Sequence, residues 1–135
     1  MSHDNLRDRT KKFAIAVLNF IEKLPNTIKG RAVAGQLVRA GTSVGANYRA
    51  ACRSRSKAEF IARIGVVIEE ADESAYWLEL IIEAGLVNHG EVHHLLDEAN
   101  QIVAIMTQSK KTAELSKTRH VSPDTLNPTL LTRHS

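Results

Sequence analysis

Residues 39–60 read RAGTSVGANYRAACRSRSKAEF, and the fold turns on how this stretch is divided. Its second half contains Ser56-Lys57-Ala58-Glu59, a capping box in which the serine hydroxyl and the glutamate carboxylate each satisfy a backbone N–H at the start of a helix. A helix therefore begins at Ser56, and the one before it must end near Arg53. In the first half Gly41 and Gly45 stand four apart, with Ala34 a helical step away, so one side of that earlier helix is almost bare. Glycine within a helix costs about 1 kcal/mol relative to alanine, which implies that a neighbouring helix packs closely there. The same stretch holds five cations against one acid.

Working outward, apolar periodicity and punctuation predict four helices. The first covers about Asp4 to Leu24, with Leu6, Phe13, Val17, Phe20, Ile21 and Leu24 on one face, and is stopped by Pro25. Asn26 or Thr27 caps the second, which runs to about Arg53. The third runs from Ser56 to about Ala84, where Gly85 suits a left-handed turn. Its core stripe is Phe60, Ile64, Ile68, Ala71, Ala75, Leu78 and Ile82. The fourth opens at Asn88-His89-Gly90-Glu91, carries Val92, Leu95, Leu96, Ala99, Ile102, Val103 and Met106, and frays after about Ser109. Short links between long helices favour antiparallel neighbours, so the expected fold is all-α, an up-down-up-down antiparallel four-helix bundle. The bundle is expected over 1–113, and the polar stretch 114–135, with Pro123 and Pro128, as a disordered tail.

Net charge is only +3, but it is unevenly spread. Residues 28–63 carry a net +7, and residues 64–100 a net −9 with no Lys or Arg at all. On a helical wheel Arg31, Arg39, Arg49 and Arg53 fall within a sector of about 80°, opposite Val33, Leu37, Ala40, Val44 and Tyr48. An arginine face lacking acids three or four residues away repels itself, and a phosphate backbone or an acidic protein surface relieves that cost. The candidate nucleic-acid-binding residues are these four arginines with Arg55, Lys57 and Arg63. On the third helix Val66, Trp77 and Leu80 fall outside the core stripe on the acidic side beside Glu73, and mark an expected oligomer interface. Gln36, Ser43 and Asn47 sit at or near the edge of the packed face of the second helix. Gln36 and Asn47 are expected to hydrogen-bond across helices.

Enzyme chemistry finds little support. His89, His93 and His94 lack the Glu-x-x-His partners of a bundle metal site, and no base is placed to activate Ser43 or Cys52, so no catalytic residue, metal or cofactor is expected. One cysteine allows no internal disulfide, and no apolar run is long enough for a membrane span. The expected location is cytoplasmic, with no membrane partner.

Gln36-Leu37-Val38-Arg39-Ala40-Gly41-Thr42-Ser43-Val44-Gly45-Ala46-Asn47, then Ser56 to Phe60, then Glu69 to Ser74 with Trp77-Leu78-Glu79-Leu80, resembles the family of 23S rRNA intervening-sequence proteins over about residues 5–112. These small bacterial four-helix bundles are often encoded within insertions in large-subunit ribosomal RNA genes. The family is similar to the accessory variability protein of diversity-generating retroelements, which implies a homopentameric barrel with a basic surface that binds nucleic acid and reverse transcriptase. Where many members continue the motif as Asn-Ile-x-Glu-Gly, this chain has Asn47-Tyr48-Arg49-Ala50-Ala51, losing an acid and gaining a base.

Taken together, the expected function is a non-enzymatic homo-oligomer that binds RNA or DNA through the basic face of the second helix, with ribosomal RNA or a reverse transcriptase as the implied partner. The alternative is a structural or adaptor homo-oligomer whose arginines pair with Glu69, Glu70, Asp72 and Glu73 of a neighbouring subunit.

Overall fold

A computed structural model describes residues 3–88 and 90–118, with side chains placed for 5–88 and 90–116. Four helices follow in order: α1 (His3–Ile21), α2 (Ile28–Cys52), α3 (Lys57–Glu83) and α4 (Gly90–Thr118). No strand occurs among the described residues.

Each boundary has a local cause. Pro25 keeps Leu24 out of helical geometry, so α1 closes at Ile21 and tightens through Lys23 N–H to Phe20 O (2.9 Å) and Leu24 N–H to Ile21 O (3.2 Å). Thr27, rather than Asn26, caps α2, its hydroxyl accepting from Gly30 N–H at 3.1 Å. Gly30 is obligatory there, since a Cβ would stand 2.0 Å from the Pro25 carbonyl oxygen. Ser56 caps α3 as expected, accepting from Glu59 N–H at 3.0 Å, and the Glu59 carboxylate accepts from Arg55 N–H at 2.9 Å. At the far end Leu86 N–H reaches Ile81 O and Gly85 N–H reaches Ile82 O, a Schellman closure with Gly85 at φ 65°.

Sequential neighbours carry the packing: α1 lies on α2, α2 on α3 and α3 on α4, while α1 and α4 meet more sparsely. Polar bridges close that last seam. Arg9 grips Glu98 with two hydrogen bonds (2.7 and 2.8 Å) and also donates to Gln101 at 2.8 Å, and Lys23 pairs with Glu91 at 2.9 Å. These contacts run in opposite directions along the two helices, as an up-down-up-down bundle requires.

The close approach on the bare side of α2 is present. A Cβ on Gly41 would meet Val17 Cγ2 at 3.0 Å, and one on Gly45 would meet the Thr10 backbone at 3.3 Å. The core stripe of α3 is rotated from the expected one. Val67, Ser74 and Ile81 are buried with Ile64, Ala71, Ala75 and Leu78, whereas Phe60, Ile68 and Ile82 are half-buried. The reason is that α3 is sandwiched between two helices and buries a sector centred between them. The Ser74 hydroxyl satisfies itself on Glu70 O at 2.8 Å.

One boundary differs substantially. α4 does not fray after Ser109 but continues to Thr118, five residues into the stretch expected as tail. Ala113, seven residues after Met106, is buried and extends the apolar stripe by two turns. The rest of the expected tail, 119–135, lies outside the described residues.

Candidate nucleic-acid interface

The expected arginine face of α2 is divided into three parts by its surroundings. At the start of the helix Arg31 donates to Asn26 Oδ1 at 3.0 Å. It stands 18 residues from Arg49, or about 27 Å along the axis, so the two share a wheel angle but not a surface. Midway, Arg39 reaches across to α3, where Nη1 meets Glu70 Oε1 at 3.4 Å and Nη2 pairs with Glu73. Trp77 Nε1–H donates to the same Glu73 oxygen at 3.3 Å. The Arg39 hydrogen bond holds the Glu73 carboxyl below its usual range, with the Trp77 contact a smaller cause, and the Arg39 pKa is raised in return. Arg39, half-exposed, thus spends its charge on Glu70 and Glu73 of its own chain.

At the end of α2 the picture reverses. Arg49 and Arg53 are exposed on its last turns and Arg55 on the turn that follows, and none has an ion-pair partner among the described residues. The opposing first turns of α3 offer a single acid, Glu59. That carboxylate accepts from Arg55 N–H and from Arg63 Nε (3.0 Å), which hold it below the usual range in that order of importance. Arg63 is exposed but already spends part of its charge on Glu59.

Lys57 is drawn into the fold instead. It is only 6% exposed, its Nζ donating to Ser116 Oγ at 2.6 Å, so it is not available to a ligand on this surface. The extension of α4 that covers it brings Lys110 and Lys111 to the same end of the bundle. An α4 that frays after Ser109 leaves these two out of the candidate site; the i+7 step from Met106 to Ala113 is the signal that the helix continues through them.

The structural polar residues act locally. Ser43 Oγ donates to Arg39 O (2.6 Å) and Asn47 Nδ2 to Ser43 O (2.8 Å), both within α2, and among the described residues no cross-helix bond from Gln36 or Asn47 forms. Side chains this short, at the edge of a packed face, find the carbonyl one turn back before they can reach a neighbour. Between these and the helix end, Tyr48 is buried with its hydroxyl hydrogen-bonded to Cys52, and burial pushes its pKa far up.

On α3, Trp77 and Leu80 are half-buried against the chain's own core, and Glu73 is engaged by Arg39. Val66 is 38% exposed, and Tyr76, which apolar periodicity does not single out, is 54% exposed with its ring edge-on to Trp77 at 5.0 Å. His93 and His94 are exposed on α4, and His89 lies outside the described residues. A shallow depression of about 680 Å³ at the opposite end, lined by Pro25, Thr27, Ile28, Lys29, Ala84, Gly85 and Leu86, brings together no acid, base or nucleophile that could work as a pair. No described helix is long and apolar enough to cross a membrane.

This fold has a solved counterpart. A crystal structure of a protein of unknown function from the S23 ribosomal protein family of Bacteroides thetaiotaomicron superposes with a TM-score of 0.75 at 30% identity, covering 82% of this chain and 99% of that one. No curated protein matches the chain. The family model described as 23S rRNA-intervening sequence protein matches residues 5–108, so the chain belongs to the 23S rRNA-intervening sequence protein family.

Proposed function

We propose that this protein is a non-enzymatic nucleic-acid-binding bundle that holds phosphates at the end where α2 turns into α3. One observation carries the reading: Arg49, Arg53 and Arg55 are exposed and form no ion pair among the described residues, while Arg39 of the same helix is satisfied internally. Guanidinium groups bind phosphate by paired N–H donors, and no exposed aromatic stands among them to stack on bases. Binding is therefore electrostatic, indifferent to base sequence and steeply dependent on salt. RNA is the first ligand to try, given the family's association with ribosomal RNA insertions. A pentameric assembly and a reverse transcriptase partner are the further properties that the resemblance to the accessory variability protein adds to this proposal.

The test is a titration of structured RNA at low and moderate salt. Arg49→Ala/Arg53→Ala/Arg55→Ala is expected to lose most of the affinity and Arg39→Ala to keep it. Equal affinity in the wild type and the triple variant ends the proposal.

A second reading, a structural homo-oligomer, draws on Val66 and Tyr76 exposed beside Trp77 on α3. Size exclusion with light scattering separates the two. An oligomer that persists at high salt, is lost in Val66→Glu/Tyr76→Glu and binds no nucleic acid favours the second; RNA binding that is lost in the arginine triple variant favours the first.

A further inference from the structure

We infer that the outer face of α1 is a self-association surface, on which a second copy of this chain packs antiparallel about a two-fold axis, a contact independent of the phosphate-binding end of α2.

α1 packs against α2 and α4, and its remaining side is open among the described residues. Of the large apolar side chains that stay exposed, Ile15 (50%) and Leu18 (46%) are the two that lie within one turn of each other. The core stripe of α1 is set by Leu6, Phe13, Val17 and Phe20. Lys11, Ile15, Leu18 and Glu22 are all exposed and fall on the opposite side of the helix, inside a sector of about 60°. Their spacing, four then three then four, is that of a coiled-coil seam, with Ile15 and Leu18 at the two core positions of one heptad. An isolated exposed leucine is ordinary. A helix that already buries one stripe in its own bundle and carries a second seam on the other side has a surface to cover.

The charges at the ends of the seam point to what covers it. Lys12 pairs with Asp8 at 3.1 Å and Lys23 with Glu91 at 2.9 Å, whereas Lys11 and Glu22 form no ion pair among the described residues. A copy laid antiparallel, with the two-fold axis level with Ala16 and Val17, sets Ile15 against the second copy's Leu18 and Lys11 against the second copy's Glu22. By symmetry each of these contacts occurs twice. A parallel copy sets lysine on lysine and glutamate on glutamate, and is repelled at both ends. The outer face of α1 is therefore complementary to itself in one direction only. Two apolar layers flanked by two exposed ion pairs make a small interface, of the weak and transient class.

The experiment is sedimentation equilibrium of the full chain at low salt, from about 10 µM to about 1 mM. The wild type is expected to double its particle mass across that range, whatever assembly other faces build. Ile15→Ser/Leu18→Ser is expected to abolish the doubling and to melt near the wild-type temperature, since both side chains are half-exposed. Lys11→Glu and Glu22→Lys are each expected to weaken association about tenfold, as two ion pairs become two repulsions. Lys11→Glu/Glu22→Lys in one chain should restore it, and so should an equimolar mixture of the two single variants. A folded double swap that stays as weak as the single variants overturns the antiparallel pairing. A wild type whose mass does not change with concentration overturns the contact and leaves the face to a partner of another kind. Doubling that survives Ile15→Ser/Leu18→Ser overturns it too, and its loss in Val66→Glu/Tyr76→Glu would then place the contact on α3.

Discussion

Midway along α2, Arg39 is held by two carboxylates of its own chain; about 15 Å further along, Arg49 and then Arg53 pair with none among the described residues. Helix and side-chain type are the same at both places, but Arg49 stands about 80° from Arg39 on the wheel and Arg53 about 40°. What also differs is the neighbour each one meets. Antiparallel pairing sets Arg39 against the acidic middle of α3, while Arg53 comes level with its first turns, where Arg63 and a single acid stand, and Arg49, one turn after Gly45, is turned toward the α1 flank. A row of like charges on one helix is thus not one surface. Its neighbour decides, residue by residue, which charges are spent on structure and which remain for a ligand.

Charge reversal gives the largest expected effect. Arg49→Glu/Arg53→Glu/Arg55→Glu should weaken RNA binding by at least about 100-fold at moderate salt, because three phosphate contacts become repulsions. Melting should barely change. Arg39→Glu should do the opposite, leaving affinity near wild type while lowering the melting temperature by setting three carboxylates together. Circular dichroism melts alongside the RNA titrations check both arms, and a loss of affinity from Arg39→Glu in folded protein would erase the distinction between the two regions.

The packed and open sides of α2 give the next largest effects. Gly41→Leu forces a side chain into Val17 and is expected to cost about 2 kcal/mol of stability, within the range for overpacked cores. Gly35 is exposed, and a Cβ added there would meet nothing within 4 Å, so Gly35→Ala should stabilise by roughly 1 kcal/mol through helix propensity alone. Urea denaturation gives both numbers. A stabilising effect from Gly41→Leu would mean that the bare side is not packed against α1.

Most of the fold was legible because caps, prolines and apolar spacing are local signals. Thr27, Ser56, Gly85 and the Gly41/Gly45 pair all act where the residue order places them. The site was only half legible, because it depends on which residues face each other, and that depends on register. Register was nonetheless recoverable. A short turn between Cys52 and Lys57 makes the numbers of antiparallel partners on α2 and α3 add to about 109, which sets Arg39 against Glu70. The same reasoning for α3 and α4 gives about 173 and sets Lys57 against Ser116, but only if α4 is allowed to run past Ser109. Tyr76 is hidden for another reason: periodicity identifies what is buried more readily than which outer aromatic stays exposed.

The smallest expected effect separates the two regions by what holds their acids. Glu73 and Glu59 both titrate below the usual carboxylate value, so each adds stability that is complete above about pH 4.5 and is lost as the pH falls through its lowered folded value. For Glu73 the chief cause is the Arg39 side chain, so Arg39→Ala should flatten the acid limb of the melting curve. For Glu59 the chief cause is the Arg55 backbone N–H, which no side-chain change removes, so Arg63→Ala should flatten that limb less. Melting temperatures from about pH 7 down to about pH 3 test the pair. An equal response in the two variants would show that the helix cap and the mid-helix bridge are held in the same way.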